Sequence, residues 1–198
     1  MSADMKTDNS SLQAKVAVRL WLLERIDHPA VLDLYCGRNG QMYRNAWKRA
    51  EVYLGTDKRQ PHDLAPTLRM SAERAIAGLN LDSYNVFDID PYDSPWAIAR
   101  KVLQRKNEGV VGMALTSGEG RGLKNGTMNE ILRKTIGASG LSNCNMMYRW
   151  RYDIMGIMVR SLLEIPGISW LCGVWVVVRK QNDMFYWGLV LRKTLTNT

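Results

Sequence analysis

Apolar positions along the chain recur in two rhythms. Val16, Leu20, Leu23 and Ile26 fall three or four apart, the spacing of one helix face, and Ser10 with Gln13 ahead of them makes a capping-box pattern. Short, nearly unbroken apolar runs follow at 30–34, Glu51–Asp57 and Tyr84–Tyr92, and runs of that length predict strands buried on both faces. Helices are predicted at Gln41–Lys48, Ser71–Leu79, Ser94–Lys106, Met128–Ile136 and Arg151–Ile165. Pro95 is tolerable in a first turn, and Ile154, Met155, Met158 and Leu162 lie at core spacing in the last helix. Thr67–Met70 reads as a weak edge strand and Gly109–Thr116 as a fifth strand. Trp170–Arg179 and Met184–Arg192 flank the polar turn Lys180-Gln-Asn-Asp183, the pattern of a hairpin. Strands alternating with helices define an α/β chain without internal repeats, with 1–9 as a disordered arm and 10–198 as one domain.

The strand ends carry the candidate chemistry. Val31-Leu-Asp-Leu-Tyr-Cys-Gly-Arg-Asn-Gly40 is an apolar strand that ends on Asp33 and breaks into a glycine turn. Gly37 and Gly40 let the backbone turn without Cβ clashes, so that a ligand can approach it closely. The second strand ends on Asp57, and 57 − 37 places that acid 20 residues beyond the first glycine, where a doubly wound sheet presents a carboxylate to ribose hydroxyls. The third run ends in Asp90-Pro91-Tyr92. Pro91 fixes its own backbone angle and restricts Asp90, which makes a rigid turn. Asp88 shares the face of Asp90 and reads as a group that holds the neighbouring loops.

At these residues the chain resembles class I S-adenosylmethionine-dependent methyltransferases. Asp33-Leu-Tyr-Cys-Gly37 is similar to their first motif, Asp57 to the ribose-binding acid of the second, and Asp90-Pro91-Tyr92 to the Asp/Asn-Pro-Pro-Tyr/Phe motif of amino-group methylating enzymes. Asp90-Pro-Tyr-Asp-Ser-Pro95, with Thr116-Ser117 at a later strand end, most resembles the tRNA guanine N2-methyltransferase family, over residues 30–180. The resemblance implies a Rossmann-like, doubly wound sheet of seven strands, mostly parallel with a C-terminal antiparallel hairpin. It implies S-adenosylmethionine as cofactor, held by Asp33, Tyr35, Gly37, Asn39, Gly40, Asp57 and Lys58, with Met70 or Ser71 against the adenine. Tyr35 and Asn39 stand where many of these enzymes carry glycine, so side chains would hold the methionine end, and Asp93 likewise replaces a glycine. Catalysis falls to Asp90, Pro91 and Tyr92: the carboxylate and the prolyl carbonyl accept hydrogen bonds from a substrate NH₂ while the ring stacks on an unpaired base.

Composition narrows the partner. A length of 198 residues with 46% hydrophobic positions fits one α/β domain. Lys and Arg exceed Asp and Glu by 27 − 19, a net charge of +8 that favours nucleic acid, RNA before DNA, while a homodimer or a protein partner is compatible. Cys36, Cys144 and Cys172 are too scattered for a disulfide framework or a metal knuckle, which suits a reducing, cytoplasmic setting. His28 and His62 have no companions at ligand spacing, so no metal is expected. Met1–Ser11 is polar, and no run reaches the roughly 18 apolar residues of a membrane span. No Pro-Cys pair offers the thiolate for cytosine C5 methylation.

Other features read two ways. Ser117–Gly126 is a flexible basic loop, either a substrate lid or an ordinary long connection. Met146–Tyr152 interleaves bases with aromatics, as single-strand binders do, but equally reads as the first turn of a core helix with snorkelling arginines. Trp170, Trp175 and Trp187 read as core and sheet-edge packing. A nicotinamide-dependent oxidoreductase would also use the glycine turn and Asp57, but Gly37 to Gly40 lacks the Gly-x-Gly-x-x-Gly spacing. A small-molecule or protein methyltransferase leaves the positive charge without a role. A non-catalytic binding module follows if Tyr35 and Asn39 close the cofactor pocket.

Overall fold

A computed structural model of the chain describes residues 11–92, 94–138, 140, 145–178 and 183–195. The N-terminal arm, Ser10 of the capping box and 180–182 of the hairpin turn lie outside the described residues.

Seven strands form one sheet in the order β3-β2-β1-β4-β5-β7-β6. They are β1 (Ala30–Asp33), β2 (Val52–Thr56), β3 (Thr67–Leu68), β4 (Val86–Ile89), β5 (Gly109–Ser117), β6 (Ile168–Val178) and β7 (Met184–Lys193). The first five pair in parallel, and β7 runs antiparallel to both β5 and β6. This is the doubly wound sheet with a C-terminal antiparallel hairpin that the strand pattern and the resemblance together predict.

Helices cover both faces: α1 (Leu12–Leu23), α2 (Gln41–Asn45), α3 (Ala72–Gly78), α4 (Trp96–Arg105), α5 (Glu119–Lys124), α6 (Glu130–Thr135) and α7 (Arg151–Leu163). On one face Leu22 and Ile26 pack with Trp47, Val31, Val86 and Val190. On the other, Ile76, Trp96, Val102, Met155 and Leu162 pack over Leu32, Phe87 and Leu115. All four residues of β4 are buried, Asp88 among them, as expected of a strand covered on both faces.

Two sequence expectations need correction. The apolar face of α1 is not the predicted one. Val16, Leu20 and Leu23 are only half-buried, whereas Val18, Arg19 and Leu22 are buried, because the helix turns its arginine inward. Ile26 is buried beyond the helix end. The expected loop Ser117–Gly126 contains α5, and its glycines serve contact instead of flexibility. A Cβ on Gly120 would lie 2.4 Å from the Asp183 carbonyl oxygen and 3.1 Å from the Phe185 ring. Glycine there lets the helix seat directly on the start of β7.

Candidate functional site

The order β2-β1-β4 makes the C-terminal ends of β1 and β4 the point where connections turn to opposite sides of the sheet, the place where such folds open a crevice. Asp33 ends β1 in register with Asp88 of β4, and Asp57 and Asp90 follow the ends of β2 and β4. Asp90, Pro91 and Tyr92 therefore stand across the switch point from the Tyr35–Gly40 turn.

Asp33 is 1% exposed. Its carboxylate accepts hydrogen bonds from the Tyr35 amide and the Tyr53 hydroxyl, each at 3.2 Å, so it braces the turn from below. Burial, reinforced by the nearby Asp88, pushes its carboxyl well above the usual range. Tyr35 is half-buried, and burial with Glu73 and Asp57 nearby raises its phenol to about 12. Gly37 adopts φ +63°, and a Cβ there would meet nothing nearer than the Tyr35 carbonyl at 3.9 Å. The Cα of Gly37 is thus open to a close approach, while its carbonyl accepts the His62 amide at 3.1 Å.

Gly40 differs. It is left-handed too, at φ +53°, but a Cβ would lie 2.8 Å from the ring of His62 and from Leu64, so the packing of the turn requires this glycine. Asn39 is exposed and gives its carbonyl to Arg44. Asp57 accepts the Arg59 amide at 2.8 Å and remains partly exposed, with Lys58 beside it in solvent. Ser71 caps α3 by accepting the Arg74 amide at 3.3 Å, and half-buried Met70 packs against the core at the end of β3.

Beneath the switch point lies an ionic cluster that sequence reasoning missed. Arg19 of α1 is fully buried; its Nε donates to Asp88 Oδ2 at 2.7 Å and its Nη2 to Asp88 Oδ1 at 2.5 Å. Trp47 Nε1 donates to the same Oδ2 at 2.7 Å. Asp88 thus ties α1 and the 3₁₀ turn Trp47–Arg49 to the sheet, the bracing role expected of it. Burial works against the Arg19 charge, but Asp88 and Asp90 outweigh it and raise the guanidinium pKa.

One turn earlier, Lys15 Nζ donates to Asp90 Oδ2 at 2.7 Å, with Arg19 Nη2 at 3.8 Å from the same oxygen. Burial opposes ionisation of Asp90, yet Lys15 and then Arg19 hold its carboxyl below the ordinary value. The signal was present in the sequence: Lys15 and Arg19 are the two charged residues of α1, stand four apart and therefore share a face.

Tyr92 is 78% exposed and borders an open recess of about 100 Å³ whose walls include Gly118, Glu119, Gly122, Met128 and Asn129. Glu119 is buried, and its Oε2 accepts Trp96 Nε1 and Ser117 Oγ, each at 2.7 Å. The two donors fix a carboxylate at the recess, with a broad aromatic ring at its edge. Such a space suits a planar, polar-edged group.

The remaining candidates fall into structural roles. His62 is buried against Tyr53, whose hydroxyl lies 3.1 Å from its Nε2, and exposed His28 meets Glu51 at 2.6 Å. Arg151 lies over the rings of Tyr148 and Tyr152 and pairs with buried Asp183 at 2.8 Å, so its head is held inside the fold and does not snorkel to solvent. Trp187 is buried and stacks on Trp175 with centroids 5.6 Å apart, while Trp170 and Trp175 are 43% and 52% exposed on the edge strand. Among the described residues no helix is long and apolar enough to cross a membrane.

No protein-family model matches the sequence, and no curated protein sequence matches it. Solved structures do share its fold. Magnesium protoporphyrin IX methyltransferase from Synechocystis, with bound S-adenosylmethionine, superposes with a TM-score of 0.50 at 13% identity over 92% of this chain and 79% of its own. The 1,6-didemethyltoxoflavin-N1-methyltransferase of Burkholderia thailandensis, with S-adenosylhomocysteine, gives 0.52 at 14% identity over 96% and 81%. A putative hemolysin from Streptococcus thermophilus gives 0.55 at 12% identity over 92% and 66%. The chain has the class I methyltransferase fold. At these identities the likeness is one of fold, and function has to be argued from the site.

Proposed function

We propose that the protein is an S-adenosylmethionine-dependent methyltransferase acting on an exocyclic amino group of a base in RNA, with DNA second. The observation that carries this reading is the convergence of Asp57, the open Gly37 turn and Asp90-Pro91-Tyr92 on one switch point. The motif resemblance to tRNA guanine N2-methyltransferases supports it, as does the net charge of +8.

The residues present fit the cofactor. Asp57 retains lone pairs for a ribose diol, Gly37 leaves free space at its Cα, and Tyr35 stands near it in place of a glycine. Bound there, S-adenosylmethionine supplies an electrophilic methyl carbon on a sulfonium. Asp33 holds the turn through the Tyr35 amide. Asp90 accepts a hydrogen bond from the substrate amine, drawing its lone pair out of conjugation and fixing its direction of attack. Lys15 occupies one lone pair of that carboxylate and keeps it ionised, so Asp90 orients the amine; transfer of the methyl group would release S-adenosylhomocysteine as the thioether, and the proton lost from nitrogen would pass to solvent. Pro91 stiffens the turn and Tyr92 offers its exposed ring to the base.

A small-molecule acceptor is the second reading, favoured by the small-molecule substrates in the names of two fold neighbours. Titration calorimetry with S-adenosylmethionine, S-adenosylhomocysteine and NAD, on wild type and Asp57→Ala, tests the cofactor. Micromolar binding of the first two, weakened about 10- to 100-fold in the variant, is the expected result. Binding of NAD alone would transfer the case to an oxidoreductase. Labelled methyl transfer into RNA, DNA and small amines then separates the acceptors.

A further inference from the structure

From the charge around the recess we infer that α5, α6 and the 3₁₀ segment Asn145–Trp150 form a phosphate-binding rim for a single-stranded stretch of RNA, which feeds one base to Tyr92. The inference rests on the proposed function for the identity of the recess as the acceptor site. It adds the surface and the form of the partner.

Residues 118–150 carry Arg121, Lys124, Arg133, Lys134 and Arg149 against only Glu119 and Glu130. Glu119 is buried at the recess, held by Trp96 and Ser117, and Glu130 is taken up by Lys134 at 2.7 Å. Arg121, Lys124 and Arg149 are left exposed, and half-buried Arg133 has no hydrogen-bond partner for its Nε among the described residues. The segment 145–150 packs against α5, which brings the elements that carry Arg121, Lys124 and Arg149 together, and Asn129 at the start of α6 lines the same recess.

Two aromatic rings are exposed, Tyr92 at the recess, 78% exposed, and Trp150 next to Arg149 in the 3₁₀ segment, 58% exposed. Cations spaced around exposed aromatics match a strand whose phosphates and bases alternate, and stacking of this kind needs bases that are not paired. A duplex presents phosphates but hides its base faces, so it would use the cations and not the rings.

The test is fluorescence anisotropy with a labelled, unstructured 16-nucleotide RNA and with the same strand in a blunt duplex, over a salt series. The proteins are wild type, Arg121→Glu/Lys124→Glu, and Lys101→Glu/Arg105→Glu on the exposed side of α4, which runs away from the strand ends. Wild type should favour the single strand. The α5 reversal should weaken it at least about tenfold and reduce the slope of log K against log salt by about 1.4, for two lost phosphate contacts. The α4 reversal should leave both unchanged. Equal losses in the two reversals, no loss in either, or preference for the duplex would overturn the rim. S-adenosylmethionine titration of the same proteins reports separately on the proposed function: cofactor binding without RNA binding removes the rim alone, and RNA binding with the expected pattern upholds it whatever the cofactor result.

Discussion

Replacing Arg19 by Leu should be among the most damaging single changes in the molecule. The guanidinium is fully buried, makes a two-point pair with Asp88 at 2.7 and 2.5 Å, and donates to the Lys15 carbonyl at 3.0 Å. Leucine fills part of the volume but leaves the Asp88 charge in place with, among the described residues, only the Trp47 indole to satisfy it. Breaking one partner out of a buried ion pair costs about 3–5 kcal/mol, a large part of the roughly 5–15 kcal/mol that holds a domain together. The loss should shrink on acidification, and Asp33 gives the sign. Burial and the nearby Asp88 already hold its folded pKa above the unfolded value, and Arg19, ahead of the Tyr35 amide, draws it down. A raised folded pKa contributes stability that is present below the unfolded value of about 4 and is lost as pH rises through the folded pKa. Removing Arg19 raises that folded pKa further, so the gap between variant and wild type should be widest at neutral pH and narrow toward pH 4–5.

Urea unfolding followed by tryptophan fluorescence at several pH values measures this, with Arg19→Leu/Asp88→Asn as the control. Neutralising the second partner while keeping an acceptor for Trp47 should recover most of the loss, about 2 kcal/mol or more. A single variant that loses less than about 1 kcal/mol, or a double variant no more stable than the single, would refute the ionic cluster as the brace between α1 and the sheet.

Asp90→Ala should abolish methyl transfer while leaving calorimetric binding of S-adenosylmethionine within about threefold, whereas Asp57→Ala should lose the binding itself; the reverse pattern would exchange their roles. Gly120→Ala should lower stability by about 1–3 kcal/mol in a thermal melt, since its methyl would sit 2.4 Å from the Asp183 oxygen; an unchanged Tm would show that α5 can shift off β7. Burial, with Asp33 nearby, pushes the Cys36 thiol up to about 12, so at pH 8 it should alkylate far more slowly than half-exposed Cys172, as peptide mapping after timed iodoacetamide would reveal.

The sequence by itself determined the alternation of strands and helices, the glycine turn after Asp33, the acid after the second strand and the hairpin. Each is a local matter: an apolar run of strand length, a residue that must adopt positive φ, or a polar turn between two such runs is written within ten or so neighbouring positions. Tertiary structure alone decided the rest. The inward face of α1 was misread because periodicity scores arginine as polar, and only the neighbouring Asp88 makes burial of Arg19 tolerable. Lys15 reaches Asp90 across 75 residues of sequence, and nothing near either residue in the chain announces the other. The glycines of Ser117–Gly126 looked like flexibility, yet Gly120 serves contact with Asp183 and Phe185, which follow some 60 residues later. Periodicity records which side of an element is apolar; which charges meet, and which backbones touch, depends on the partners that folding brings to that side.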